Sequence, residues 1–267
     1  LSYLKNFCKS TPLPEKVSHK SEFHAILFLD LCRIHGGTGR ERKTGAIEEG
    51  SSAMAMIEDY RSALRAGQRA YRACVARGQS PYLAVLDDIL NGVNIVAQEP
   101  LGLVDIPAES IVGTKTSGRH TAFAANFMPL LEEDTEFAIK WSNLCEAHLE
   151  EGIHTPIIAY EYLNKFYVQE GNKRVSVLKY YEAVTIPGTV TRLVPARNDT
   201  LENKIYYEFL DFYKLSKINN VQFSRLGGYA KLQTLVCKAA SEVWSDDDRL
   251  NFSALYTMFS QQFYALG

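Results

Sequence analysis

The hydrophobic pattern of this chain changes character three times. Over residues 1–50 no period is sustained, and the charge cluster Arg40-Glu41-Arg42-Lys43 follows a Gly36-Gly37-Thr38-Gly39 turn. That segment reads as a leader or linker. Its glycines read as a flexible turn, because the spacing and Lys-Ser/Thr ending of a phosphate loop are missing. From Ile57 to Arg77 apolar residues (Ile57, Tyr60, Leu64, Tyr71, Cys74, Val75) return about every 3.6 positions, which predicts a helix ending at Gly78. Ser80-Pro81 then reads as a cap and first-turn proline for a second helix, with Tyr82, Leu86, Ile89 and Leu90 inward. Together these predict a helical hairpin over 51–99.

Residues 100–197 alternate between strand-like and helical signals. Leu101–Ile106 reads as a strand ending at Pro107, Ile111-Val112 as a short second one, and Gly113–His120 as a polar loop. Asp134 is placed to cap a helix with Phe137, Trp141, Leu144, Cys145 and Leu149 buried and Gly152 as its stop. Pro156–Tyr160 and Phe166–Gln169 read as strands around a turn near Asn164-Lys165, and Thr189–Val194 alternates as a half-buried strand. Beyond residue 198 the stripes are helical: Ile205, Phe209 and Phe212 or Tyr213; then Tyr229, Leu232, Leu235 and Val236 after Gly227-Gly228; then Leu255, Phe259 and Phe263. The acidic run Asp246-Asp247-Asp248 suits the N-terminus of the last helix.

The most informative residues are Glu170-Gly171-Asn172-Lys173-Arg174-Val175. They leave a strand-like run and open a stretch in which Val175, Leu178 and Tyr181 repeat at helical spacing. A glycine turn at such a junction aims unpaired backbone N–H groups and the positive end of the helix dipole at one point. Lys173 and Arg174 add two cations, and Arg can hold a phosphate or carboxylate through two parallel bonds. The expectation is an anion site, phosphate foremost, at Gly171, Asn172, Lys173 and Arg174. Lys115 and Arg119 from the polar loop assist it. Glu170 is the candidate catalytic residue: a base, a metal ligand, or simply a partner of Lys173. The bland alternative is that Lys173 and Arg174 only cap the fold by pairing with Glu170 or Glu161.

Composition narrows the field. The chain has 267 residues, 46% hydrophobic and 22% charged, with a formal net charge of -2. That balance gives no global attraction to nucleic acid or an anionic membrane, so any such binding needs a local patch. The arginine stripe Arg61, Arg65, Arg69 and Arg72 is one such patch, or else a solvated helix face. Five scattered cysteines with no C-x-x-C pair point to reduced thiols in a cytoplasmic setting. The histidines, His148 and His154 included, form no ligand pattern, and no metal site is expected. No run reaches the roughly 18 apolar residues of a membrane span. The start at Leu1 and the end at Gly267 lead us to expect a fragment of a longer protein.

The glycine-turn box, with Gly152-Ile153-His154-Thr155-Pro156-Ile157-Ile158 upstream, resembles the ParB/sulfiredoxin superfamily over about residues 100–197. ParB proteins carry a G-E-R-R type box and sulfiredoxins a G-C-H-R type box where this chain has Gly171-Asn172-Lys173-Arg174. The upstream run is similar to the G-(L/I)-x-x-P-(I/V)-x-V run of ParB proteins, and Arg119 falls near the arginine after their first strand. The resemblance implies an α+β fold, a ParB/sulfiredoxin-like mixed sheet with flanking helices, here between the 51–99 hairpin and a helical C-terminal region over 198–267. It implies a nucleotide at the turn, CTP or ATP, with Mg, and some relatives are kinases for free serine. Asn172 replaces the sulfiredoxin Cys, Lys173 replaces an Arg of ParB proteins, and Glu202-Asn203 is followed by Lys204-Ile205 rather than Gln and Arg. The stretch from about Tyr60 to Ala240 also looks like Firmicutes proteins in which such a domain precedes a basic-membrane-protein-type binding module.

Three functions stay open at this point. The first is a nucleotide- or phosphate-binding domain, with phosphotransfer or nucleotide-gated switching as its activity. The second is a DNA-binding, partition-like protein using the arginine stripe. The third is a non-catalytic regulatory module. The partners these leave open are a nucleotide or small phosphorylated ligand, DNA, and a second copy of the chain.

Overall fold

The computed structural model describes residues 49–265, so the expected leader lies outside the described residues apart from its last two. Two compact units result: Arg42–Ala196, and a second that holds the chain from Arg197 onward.

The first unit is built on a six-stranded mixed sheet of order β1-β3-β5-β4-β6-β2. In chain order its elements are α1 (Glu49–Ala76), β1 (Ala84–Val85), α2 (Leu86–Ile89), β2 (Ile95–Pro107), β3 (Ile111–Thr114), α3 (Glu136–Glu150), β4 (Ile157–Tyr162), β5 (Lys165–Glu170), α4 (Asn172–Tyr180) and β6 (Thr185–Pro195). A short 3-10 segment, Ser117–Ala122, precedes α3. β4 and β5 form a hairpin whose two loop residues, Leu163 and Asn164, both have positive φ. That turn geometry matches the right-handed twist of the flanking strands. β4 runs parallel to β6, β3 parallel to β5, and β2 pairs antiparallel with β6 along nearly its whole length.

Alternation along the strands puts Ile111, Ile157, Ala159, Phe166, Val168, Ile186 and Val190 into the main core. The same core holds Tyr60, Ala63 and Leu64 of α1, Phe137, Trp141 and Cys145 of α3, and Val175 and Leu178 of α4. Trp141 is wholly buried and donates its indole N–H to Ser176 Oγ at 2.8 Å, which ties α3 to α4. Gly67 lets the chain press on α1, since a Cβ there would stand 2.2 Å from the Pro129 carbonyl oxygen. A smaller cluster comprises Leu86, Tyr162, Tyr167 and Leu193. Glu161 and Arg192, opposite one another on β4 and β6, form an ion pair with each side chain 1% exposed. The other Glu161 oxygen accepts the Asn164 N–H at 2.7 Å.

The structure corrects several expectations. The second arm of the hairpin is not a helix: Pro81–Leu90 gives an isolated bridge from Tyr82 to Ala124, strand β1 and the single turn α2. Leu86 is buried as expected, but Ile89 is exposed and the helical turn is only four residues long. Leu101–Ile106 is the end of a longer strand that begins at Ile95. Val75 and Leu149 are exposed. Thr135, not Asp134, caps α3, its hydroxyl accepting the Ala138 N–H at 3.2 Å. The expectation of reduced thiols holds for Cys74 and Cys145, but Cys237 is disulfide-bonded.

The second unit is helical: α5 (Leu201–Ser216), α6 (Gly228–Leu235) and α7 (Asp246–Ala265). Phe209, Phe212, Tyr229, Trp244 and Phe252 form a chain of ring contacts at its centre. Asp246, Asp247 and Asp248 occupy the first turn of α7, where they complement the helix dipole.

Candidate functional site

The turn between β5 and α4 has the expected construction. Gly171 is the N-cap of α4 with φ 107° and ψ 19°, a left-handed conformation that side chains with a Cβ disfavour. It also has no room: a Cβ would lie 2.8 Å from Ile157 Cγ2 and 3.2 Å from the Arg174 guanidinium. No side chain caps the helix, and the first intrahelical bond runs from the Val175 N–H to the Gly171 carbonyl at 2.9 Å. The N–H groups of the first turn therefore point outward from the helix end, as helix geometry requires.

That turn forms one wall of an open cleft of about 320 Å³, lined by Arg119, Phe123, Phe137, Gln169, Glu170, Gly171, Asn172, Lys173 and Arg174. Of the residues read from sequence, Glu170 to Arg174 and Arg119 thus come together. Arg119 arrives from the 3-10 segment and is exposed. Lys115 does not line the cleft. It pairs with Asp87 of α2, and its ammonium lies 5.5 Å from the centre of the Tyr160 ring.

The two cations of the box differ. Arg174 is only 15% exposed, and its Nη1 donates to the Thr155 carbonyl at 2.9 Å and the Pro156 carbonyl at 2.5 Å. Its Nη2 stands 3.5 Å from Glu170, whose side chain is 68% exposed. Arg174 therefore clips the helix start to the segment entering β4, and contributes charge to the cleft rather than a free two-pronged grip. Lys173 instead lays its ammonium over the Phe137 ring at 4.8 Å. Burial lowers its pKa, and repulsion from Arg119 and Lys140 lowers it further, against the pull of Glu136. Glu136 is itself held by Lys140 at 2.5 Å. Among the described residues neither Arg119 nor Lys173 has an ion-pair partner.

Asn172 faces the sheet, donating through Nδ2 to Thr114 Oγ1 at 3.2 Å while its Oδ1 is buried without a donor. Phe123, Phe137 and Gln169 are the lining residues that sequence reading missed. Phe137 falls on the stripe that assigns it to the core, where it indeed lies, and nothing local marks Phe123 or Gln169 as cleft residues. Among the described residues no group of three or more His, Cys, Asp or Glu side chains is disposed to hold a metal ion. No helix among them is long and apolar enough to cross a membrane.

Chemically, the arrangement offers an oxyanion a helix N-terminus, two unpaired cations and one anchored guanidinium, with a carboxylate at the rim. No family model, no curated protein and no solved structure matches the chain.

Proposed function

We propose that the Arg42–Ala196 unit is a ParB/sulfiredoxin-like domain that binds a nucleotide or phosphate anion at the start of α4. The observation that carries this reading is the left-handed Gly171 at an uncapped helix N-terminus, opening on a cleft with Arg119 and Lys173. Two like charges converging on one cleft repel until an anion arrives, so binding relieves a cost already present in the free protein. The Arg174 bonds to Thr155 and Pro156 join the two sequence runs that carry the superfamily resemblance, which supports treating them as one unit. Glu170, at the rim and largely exposed, is placed to accept a proton if the ligand's phosphate is transferred.

Calorimetric titration of the full chain with CTP, ATP, ADP and inorganic phosphate tests the proposal. Lys173→Gln is the informative variant, because Arg174 also serves the fold. Binding of at least one probe, weakened about tenfold or more by that variant, is the expected result, a charge-assisted contact being worth roughly 1.5–3 kcal/mol. If no probe gives heat, the anion reading fails. The DNA-binding alternative draws on the α1 stripe, but Arg61 is paired with Glu133 and Arg65 with Glu58, each at 2.8 Å. Those pairs leave half of the stripe's charge for phosphates, and a filter-binding assay across salt concentrations decides the matter.

A further inference from the structure

We infer that the cleft takes a single phosphoryl dianion, either free phosphate or the phosphate of a small monoester, rather than a nucleoside triphosphate. This rests on the anion reading above and narrows its ligand.

Two observations point the same way. The first is charge. The cleft is lined by three cations, Arg119, Lys173 and Arg174, and one carboxylate, Glu170. Two positive charges are left over, and the nearby Lys140–Glu136 pair cancels itself. A phosphate monoester carries roughly -1.5 to -2 at neutral pH, which matches that surplus. A bare triphosphate overshoots it.

A magnesium-bound triphosphate can match the net charge, so the fate of its base decides the matter.

The second is the use already made of the aromatic rings. Phe123 and Phe137 are 1% and 6% exposed and pack edge to face at 5.2 Å. The ammonium of Lys173 lies against the Phe137 ring. Neither ring offers a bare face on which a nucleobase can stack. What the cleft does present around the helix end is cationic or amide: Arg119, Lys173 and Gln169. Such a lining recognises oxyanions and hydroxyls and has little to say to a base.

The test is a calorimetric competition series on the full chain at neutral pH. The probes are inorganic phosphate, glycerol 3-phosphate, succinate, and CTP and ATP each with and without Mg. The expected result is that phosphate or glycerol 3-phosphate binds at least tenfold tighter than either triphosphate in either form, with succinate weaker still. Whichever of the two leads identifies the source of the phosphoryl group. Arg119→Gln and Lys173→Gln are each expected to weaken the leading probe about tenfold with circular dichroism unchanged. A triphosphate binding tighter than both phosphoryl probes overturns this inference and leaves the anion reading standing. Succinate matching the phosphoryl probes means the cleft reads charge alone, which also overturns it. Silence from every probe removes the anion reading itself.

Discussion

Replacing Gly171 by alanine tests the fold and the site in one step. Two costs add. Holding a residue with a Cβ in a left-handed conformation costs roughly 1–2 kcal/mol. The new methyl would also meet Ile157 Cγ2 at 2.8 Å, and Ile157 is fully buried, so it has little freedom to retreat. Overpacking of this kind costs about 1–3 kcal/mol. The sum, about 2–5 kcal/mol, is a large part of an ordinary domain stability of roughly 5–15 kcal/mol.

The chain has two tryptophans, Trp141 in the first unit and Trp244 in the second, both buried. In a Trp244→Phe background, fluorescence during urea unfolding reports the first unit alone. The alanine variant should lower its stability by that amount with the denaturant slope unchanged. Gly171→Asn separates the two costs, because asparagine tolerates the left-handed region. It should recover about 1 kcal/mol and leave the steric part. A Gly171→Ala variant within about 0.5 kcal/mol of the parent would refute the reasoning: the chain would not then need a left-handed bend between sheet and helix, and the N–H groups of α4 would have no fixed aim.

Three more outcomes follow from the first unit and are read by the same unfolding assay. Arg192→Met strands the Glu161 carboxylate in the interior and should cost about 3–5 kcal/mol, while adding Glu161→Leu should return much of it. Ser176→Ala removes the acceptor of the buried Trp141 indole and should cost about 1–3 kcal/mol. Burial lowers the pKa of Lys179 to about 8 despite its bond to the Ile111 carbonyl at 2.8 Å, the Phe127 ring 4.9 Å away and the opposing pull of Glu109. The unfolded chain keeps that proton up to about pH 10.5, so between about pH 8 and 10.5 it binds more protons than the folded one and stability rises with pH. Below pH 8 the buried charge costs about 3 kcal/mol. Lys179→Met should flatten the rise, and an unchanged pH slope would contradict the assignment.

Legibility in the sequence followed the reach of the interactions. Local signals read well: the Gly171 turn, the stop at Gly152, the β4–β5 hairpin and the helical stripes with Trp141, Val175 and Phe209 all arise from neighbours within a turn or two. The Pro81–Leu90 stretch failed because its apolar residues answer to distant partners. Ala84 pairs with Gly113 and Val85 with Thr114, and no periodicity within ten residues reveals a two-residue strand. Leu149 shows the converse error: it sits in phase with the α3 stripe, but at the end of the helix it is His148 that packs against Tyr181, and Leu149 is 63% exposed. The cleft was half legible for the same reason. Gly171 to Arg174 are contiguous, whereas Phe123 and Phe137 join them through tertiary packing, and Lys115 is diverted by Asp87, a residue 28 positions away.

The divergent fates of Lys173 and Arg174 carry the strongest consequence. Successive helix residues point about 100° apart, so one faces the start of α3 and the other the entry to β4. Arg174 meets two carbonyl oxygens there, and a guanidinium with several fixed donors suits them better than an ammonium would. Lys173 meets an aromatic face and two other cations, a place where positive charge is tolerated but not neutralised. Exchanging the two residues should therefore cost stability while sparing the charge of the cleft. Lys at 174 would leave at least one carbonyl poorly served and loosen the approach to β4, while Arg at 173 would keep the charge in the cleft. The double exchange is expected to lower stability by about 1.5–3 kcal/mol, the scale of one lost charged hydrogen bond, yet to keep the proposed phosphate affinity within a few-fold. An exchanged protein that is fully stable but no longer binds would reverse the roles assigned here, making Arg174 the ligand contact and Lys173 the structural one.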